Sequence, residues 1–588
     1  MKLLGALKQK WIHALMLGIG SLLSLAVVAA PFGQGGRVTD RGLRTVTLMQ
    51  IGDTHSFVLT PHRPRETDRQ HEGSLPRLYS LVNQVRMRDP DALLFNAGDT
   101  LQGGAVNLYT EGQASVNVLD LFGIDFYAAG NWDFVYGLDR FVELFGNGRW
   151  GAIAANLYYD GAVYPDKAGQ RVLPPYRVAE VKGIRIGVIG LTSDRAINAL
   201  GPWRTVGAVF NKDASEVPFY IDVLRNQEKV DAVVLLSEFG LARNIDIAKT
   251  YPGLDVVLSA DMHERTPKPI MLNGGATLVS EAGQNSTVLA EVRLLFRGKR
   301  LVNKQYQWHT VATAFPNPRI ARAAARQTRE FVSGPFFRPH VNPINGMVLT
   351  TPLDTVLGYT DTALYRGNYT HEDMPGVIEG TSHDFLADAF RDQAQADIGA
   401  IRGFRYGTHV EPGPITLDDL YHYLSIGAQI AKITITGQQL KNQIETSAGG
   451  ALAPDVELWM GGWLNGYSGV KFDLDPAAAQ GQRARNIVVQ RWGTGIWEPL
   501  NLQARYTYAG YWFEQAPTLV NGIVAQNAMP IRGPNGETLD STEVVANYLA
   551  KIGMVSPETH RVRLLSPLPP PIYGNPEVQP LEGVAQRN

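Results

Sequence analysis

Cysteine is missing from all 588 residues. Its absence removes disulfides, thiolate metal ligands and a cysteine nucleophile together, so any bound metal must sit on oxygen and imidazole. An excess of charge is missing as well: 56 acidic and 54 basic residues leave a formal net charge of −2. No basic field exists to draw in a nucleic acid polymer, and partners have to be read from sites instead. There is no internal repeat, and beyond the N-terminus no apolar run is long enough to cross a bilayer. With 44% hydrophobic residues the chain can still build two or three globular cores.

Residues 1–30 carry Lys2, Lys8 and Lys10 and then the apolar run 14–30, the order of a secretory signal. The chain is therefore expected to be exported to the periplasm, with cleavage after Ala29 favoured over Ala30 because Pro31 follows the latter. The competing reading is an uncleaved N-terminal membrane anchor, since about 18 apolar residues is the lower limit for a span.

From Thr45 onward, short β-branched or apolar runs alternate with amphipathic stretches, at 46–51, 92–96, 126–129, 152–156, 184–191, 232–237 and 256–259. That is the pattern of a layered α/β sheet. Several runs stop at a polar cluster: Asp53-Thr54-His55, Gly98-Asp99-Thr100, Gly130-Asn131-Trp132-Asp133, Ser237-Glu238 and Asp261-Met262-His263. Polar groups at successive strand ends are what a convergent site on one sheet edge requires. The pattern changes after Leu301, where RIARAAARQTREFV (319–332) reads as a helix able to bridge two domains. The expected organisation is a first α/β domain over 40–312, a linker helix region over 313–350, a second α/β domain over 351–565 and a proline-rich tail over 566–588.

Two neighbouring divalent cations need a shared anionic bridge and several hard or borderline ligands, which short loops after strands can hold rigidly. Asp53 and His55 offer a carboxylate and an imidazole two residues apart; Asp99 offers a carboxylate able to bridge, Asn131 a neutral oxygen and His263 another imidazole. Any one pair is weak evidence, because an isolated histidine is usually a structural group. Five such elements in order, each closing a strand, carry more weight.

The segments IGDTHS (51–56), NAGDT (96–100), AAGNWDF (128–134), LLSEFG (235–240) and SADMHE (259–264) resemble the ordered motifs of calcineurin-like metallophosphoesterases of the 5'-nucleotidase group. Residues 380–399, 411–427 and 435–445 are similar to that group's C-terminal substrate-binding domain. The resemblance implies an α/β fold: a four-layer N-terminal domain of sandwiched sheets flanked by helices, joined by a helix to a C-terminal α/β domain. Within the group, GDTLQGGAVNLYTEGQ (98–113), NWDFVYGLDR (131–140) and GFRYGTHVEPGPIT (403–416) are similar to the thiosulfohydrolases of the Sox sulfur-oxidation system.

That likeness implies two divalent metals, Mn²⁺ above others. One takes Asp53, His55, Asp99 and His263; the other takes Asp99, Asn131, Glu238 and Asp261. The family usually has histidine at the positions of Glu238 and Asp261, so the second site is expected to be all oxygen, with a higher pKa for a bridging water and a slower or more pH-dependent hydrolase. Both residues can instead be surface carboxylates. Trp132 stands where ordinary phosphoesterases of this fold have a catalytic histidine, and Asn131-Trp132-Asp133 replaces the His-Trp-Glu of the thiosulfohydrolase type, with Asp133 expected to support the loop. A persulfide or thiolate leaves well unprotonated, so losing a general acid is tolerable for such a substrate; a merely packed aromatic is the bland reading.

Arg405, with Tyr406 beside it, falls where the resemblance places the arginine that grips the substrate's anionic group, a task suited to a planar guanidinium. Trp463 and Trp512 are candidates for the two aromatics that clamp a base in nucleotidases, or else core residues. The loop 61–73, with Arg63, Arg65 and Arg69, either covers the site or is a solvated loop. The leading expectation is a thiosulfohydrolase releasing sulfate from a cysteine S-thiosulfonate on a sulfur-carrier protein; the others are a 5'-nucleotidase or cyclic-nucleotide phosphoesterase acting on a small anion, and a non-catalytic binding protein.

Overall fold

The computed structural model describes residues 42–55, 73–364, 377–402, 409–455, 458–459 and 463–569. The segment 1–30 read as a signal or anchor, Arg405, Tyr406, most of the loop 61–73 and most of the proline-rich tail lie outside the described residues.

The N-terminal half is organised by β1 (Leu43–Ile51), β2 (Leu93–Asn96), β3 (Phe126–Tyr127), β4 (Tyr176–Val181), β5 (Ile184–Leu191), β6 (Ala232–Ser237), β7 (Val256–Ser259), β8 (Ile270–Leu272), β9 (Thr277–Glu281), β10 (Val288–Arg297) and β11 (Arg300–Thr310). One sheet has the order β11-β10-β1-β2-β3, the other β8-β9-β7-β6-β5-β4. In the first, β1, β2 and β3 run parallel. In the second, β5, β6, β7 and β9 run parallel. Parallel pairing puts the polar clusters that follow these strands on one edge of each sheet.

Successive side chains on a strand face opposite ways. In β1, Val46 and Leu48 enter a core shared with Phe95, Phe126, Val188, Val234 and Leu258, drawn from both sheets. Met49 and Ile51, on the other face, pack with Leu78, Val82 and Val85 of helix α1 (Leu75–Arg88). In β6, Val234 and Leu236 enter the inner core, while Val233 and Leu235 pack with Val217, Leu241 and Ile245 from helices Glu216–Asp222 and Leu241–Thr250. The result is four layers, helix, sheet, sheet, helix. Each fully buried Val or Leu contributes about 1.5–3 kcal/mol, and strands buried on both faces cannot slide, so the loops beyond them are held rigidly.

Helix α2 (Pro318–Thr328) starts where the Asn317 side chain accepts from the N–H groups of Arg319 and Ile320, with Pro318 at the first position. Beyond it, strands Gly466–Ser468, Ile398–Ile401, Arg505–Trp512, Gln429–Thr436 and Met529–Pro530 lie in that order in a mixed sheet. Helix α3 (Leu417–Tyr423) of this second half is opened by a capping box between Thr416 and Asp419. It and the turn after it dock on the first half. Tyr421 Oη lies 2.8 Å from Tyr109 Oη, and Gln102 Nε2 donates to Ser425 Oγ at 2.8 Å. Arg204 donates to the carbonyls of Val135 and Ile426, both at 2.7 Å, with its guanidinium against Trp203 and Phe513. No helix among the described residues is long and apolar enough to cross a membrane.

Candidate metal centre

The loops after β1, β2 and β7 bring Asp53, His55, Asp99 and His263 to one point. One ligand atom from each lies within 4.8 Å of the others, and all four residues are buried. His55 Nε2 is 3.1 Å from His263 Nε2 and 3.8 Å from Asp99 Oδ2, and His263 Nε2 is 3.5 Å from Asp53 Oδ1. The backbone is left-handed at Asp53 (φ 44°), His55 (φ 38°), Asp99 (φ 46°), Asp261 (φ 90°) and His263 (φ 62°). Such conformations cost a non-glycine residue on the order of 1 kcal/mol or more and persist where the surroundings over-determine them. Five of them in the loops that follow β1, β2 and β7 mark a place shaped for chemistry.

A second group of oxygens adjoins Asp99. Asn131 and Asp133 lie in the single turn Asn131–Phe134. Asn131 lies with its amide against both Asp99 oxygens: turned about, its nitrogen would donate to them at 3.0 and 3.2 Å. A cation held by both residues would reverse that preference and favour the amide oxygen as ligand. Asp99 is pinned by the Trp132 N–H, which donates to Oδ1 at 2.8 Å. Asp133 braces the same loop, its carboxylate accepting from the N–H groups of Thr100 (2.7 Å), Leu101 (2.9 Å) and Gly130 (2.8 Å). Glycine is required at two contacts here: a Cβ on Gly130 would collide with Asp99 Oδ1, and one on Gly98 would lie 2.6 Å from Glu238 Oε1.

Glu238 fits the part of a cation ligand. It is fully buried, and neither carboxylate oxygen has a hydrogen-bond partner. Burial first, then the negative charges of Asp99, Asp53, Asp261 and Asp133, push its carboxyl well above the usual range. Asp53 is raised likewise, by burial and then by Asp99, Glu281 and Asp261. Buried carboxylates that repel one another are costly unless a cation joins them. The donor set of carboxylate, amide and imidazole fits divalent metals, and the fold with this cluster implies that divalent ions bind here. Asp261 differs from Glu238: its Oδ2 is 3.4 Å from Arg195 Nη1, and its N–H donates to Asp53 Oδ2 at 3.1 Å.

Trp132 is 7% exposed and packs in the hydrophobic core, so position 132 offers the site a backbone N–H but no titratable side chain. Trp463 and Trp512, read as candidate base-clamping residues, lie in the core of the second half, 3% and 7% exposed; the Trp512 indole donates to the Pro517 carbonyl. Neither presents an open ring face. Arg405 and Tyr406 lie outside the described residues. Four residues not singled out from the sequence join the site: Gln102, 2.8 Å from His55 Nδ1; Ser425 behind it; Arg195 on Asp261; and Glu281, which presses charge on Asp53. Only the Gln102 in GDTLQGG, three positions after Asp99, carried any signal.

Residues 46–265 match the calcineurin-like phosphoesterase family, and residues 356–518 match the 5'-nucleotidase C-terminal domain. The chain thus joins a calcineurin-like phosphoesterase domain to a 5'-nucleotidase C-terminal domain, and is a metal-dependent hydrolase. Among its relatives, the NAD 5'-nucleotidase of Haemophilus influenzae is 21% identical over 514 residues, covering 78% of this chain and 82% of that protein. The trifunctional nucleotide phosphoesterase protein YfkN of Bacillus subtilis is 22% identical over 454 residues, covering 71% of this chain, which spans only 29% of that longer protein. Among solved structures, the sulfate thiohydrolase SoxB of Thermus thermophilus aligns with a TM-score of 0.70 at 22% identity, over 89% of this chain and 97% of its own. That likeness establishes the fold.

Proposed function

We propose that this hydrolase releases sulfate from a cysteine S-thiosulfonate carried on a partner protein, outside the cytoplasm, with Mn²⁺ as the metal. The reaction balances as R–S–S–SO₃⁻ + H₂O → R–S–S⁻ + SO₄²⁻ + 2H⁺. The observation that carries the reading is Trp132: the position that holds a proton-donating histidine in ordinary phosphoesterases of this fold is here a buried indole. A persulfide departs without a proton, whereas an alkoxide leaving group gains much from one. The burial of Trp463 and Trp512 supports the same reading, since it leaves neither ring free to stack a base.

Two divalent ions supply Lewis acidity for activating water and neutralising developing charge. Asp53, His55, Asp99 and His263 would hold the first, and Asp99, Asn131, Glu238 and Asp261 would hold the second. Oxygen-rich ligation favours Mn²⁺ over Zn²⁺ or Cu²⁺. Asp133 keeps the Asp99 loop on the Asn131 turn, and Arg405 grips the sulfonate oxygens. The leader at 1–30 serves export, by cleavage or as an anchor.

The nucleotidase names of the sequence relatives favour a second reading, nucleotide phosphoester hydrolysis at the same centre. Mn²⁺-loaded protein should be offered a peptide bearing cysteine S-thiosulfonate and, separately, AMP. Faster sulfate release is expected; phosphate release from AMP at a far higher rate overturns the proposal. Trp132→His should raise phosphate release relative to sulfate release.

A further inference from the structure

His55 is tied to the second half of the molecule through one intermediate. Its Nδ1 lies 2.8 Å from Gln102 Oε1, and Gln102 Nε2 donates to Ser425 Oγ at 2.8 Å. All three residues are buried: His55 0%, Gln102 1% and Ser425 3% exposed. With the amide oxygen as acceptor, His55 carries its proton on Nδ1. Its Nε2, the atom facing His263 Nε2 and Asp99 Oδ2, then keeps a lone pair. A neutral imidazole whose far nitrogen donates to a fixed acceptor is the form that ligates metal, and the partner of that far nitrogen fixes tautomer and ring orientation. Turned over, the amide would offer N–H to Nδ1 and select the tautomer that cannot bind. In the observed arrangement the Ser425 hydroxyl accepts from the NH₂ end and anchors the amide at the seam with its oxygen toward Nδ1.

Ser425 belongs to the docking seam. Four residues before it Tyr421 meets Tyr109, and one residue after it Ile426 takes the Arg204 guanidinium. Gln102 follows Asp99 by three positions, and Asp133 fixes that loop through Thr100 and Leu101. The relay therefore joins two rigid parts: the metal loop on one side and the turn after α3 on the other.

We propose that Ser425 and Gln102 are positioning residues through which docking of the C-terminal domain sets the tautomer and orientation of His55, coupling metal affinity to interdomain contact. This rests on the reading of His55 as a metal ligand. Linkage makes the coupling reciprocal: what docking does for the metal, the metal does for docking. A bond that only fastened the two halves would lower stability and leave the metal unaffected.

The full chain should be prepared as wild type, Ser425→Ala, Ser425→Thr, Gln102→Leu and Gln102→Glu. Mn²⁺ affinity is measured by competition with a chelator, alongside the rise in Tm on adding Mn²⁺. Gln102→Leu should weaken Mn²⁺ binding by about 10- to 100-fold, and Ser425→Ala by about 3- to 10-fold. Gln102→Glu, whose carboxylate still accepts from Nδ1, and Ser425→Thr, which keeps the hydroxyl, should stay within about threefold of wild type. In hydrogen exchange, Mn²⁺ should slow residues 417–426 in wild type and do so less in Ser425→Ala. Lower Tm with unchanged Mn²⁺ affinity in both Ser425→Ala and Gln102→Leu overturns the relay alone. A wild type that binds no Mn²⁺ overturns the metal reading and the relay together. If Gln102→Leu does not fold, Ser425→Ala decides.

Discussion

The two halves of the centre are built from different materials. On one side Asp53, His55, Asp99 and His263 converge within 4.8 Å, two imidazoles and two carboxylates, with His55 held from behind by Gln102. On the other side stand an amide, Asn131, and two carboxylates, Glu238 and Asp261, without an imidazole. Neither Glu238 oxygen has a hydrogen-bond partner, while Asp261 is shared with Arg195. In the first set two of the four donors are imidazoles, which in the neutral form that ligates metal add no negative charge to that of the two carboxylates. A site of buried anions depends on its cation for its own stability. The two sides should therefore respond differently to mutation, metal and pH.

The largest effect is expected where the sides meet. Asp99 adjoins His55, Asn131 and Glu238, so Asp99→Ala should strip both sides of a common ligand. Hydrolysis should fall by on the order of 10³-fold or more, and bound Mn²⁺ toward background in elemental analysis. Retention of full metal content would show that the sides do not share a bridge. Glu238 separates them. Glu238→Gln keeps the shape but removes charge, and should weaken Mn²⁺ binding by roughly 10- to 100-fold. It should also raise the Tm of the metal-free protein, because one buried anion has gone. Glu238→His should shift metal preference toward Zn²⁺, whose borderline character suits imidazole. If Glu238→Gln leaves metal-free stability and Mn²⁺ affinity both unchanged, Glu238 is no part of the centre.

The metal-free protein should be unusually sensitive to alkali. Asp53 and Glu238 have folded-state carboxyls raised well above the usual range, by burial first and then by mutual repulsion. A carboxyl with a raised folded pKa binds more protons folded than unfolded. Stability therefore falls as pH rises from the ordinary carboxylate range through the raised value. Denaturant melts of chelator-treated protein from pH 5 to 8 should show that fall, and Mn²⁺ should abolish it. A metal-free protein equally stable across that range would mean the carboxylates have other compensation.

The arrangement was legible where chemistry coincides with strand ends. Strands buried on both faces read as short apolar runs, and the polar residue after each run had to lie on the sheet edge, which located Asp53, Asp99, Asn131, Glu238 and Asp261 in one neighbourhood. The seam was not legible. Ser425 and Arg195 are ordinary polar residues whose meaning comes only from what docks on them. Trp463 and Trp512 were ambiguous for a different reason: a large aromatic has the same local sequence pattern whether it fills a core or stacks a ligand. The left-handed backbone at His55 and His263 left no trace in composition, because the loops impose it.

The smallest effect belongs to Asp261, and it decides how far the anionic side extends. Its Oδ2 lies 3.4 Å from Arg195 Nη1, and the Arg195 guanidinium lies over Trp459 at 5.6 Å, both largely buried. A carboxylate already compensated by a guanidinium gains less from a cation than Glu238 does, and its backbone N–H, which donates to Asp53, is untouched by a change of side chain. Asp261→Asn should therefore cost less than about tenfold in Mn²⁺ affinity, well below Glu238→Gln. Arg195→Met should reverse the ranking of the two acids: with its guanidinium gone, Asp261 becomes a second buried anion without compensation. Mn²⁺ should then stabilise the variant more than it stabilises wild type, by a larger rise in Tm. An equal rise in both would mean that Asp261 never faces the metal, and the anionic side would end at Glu238.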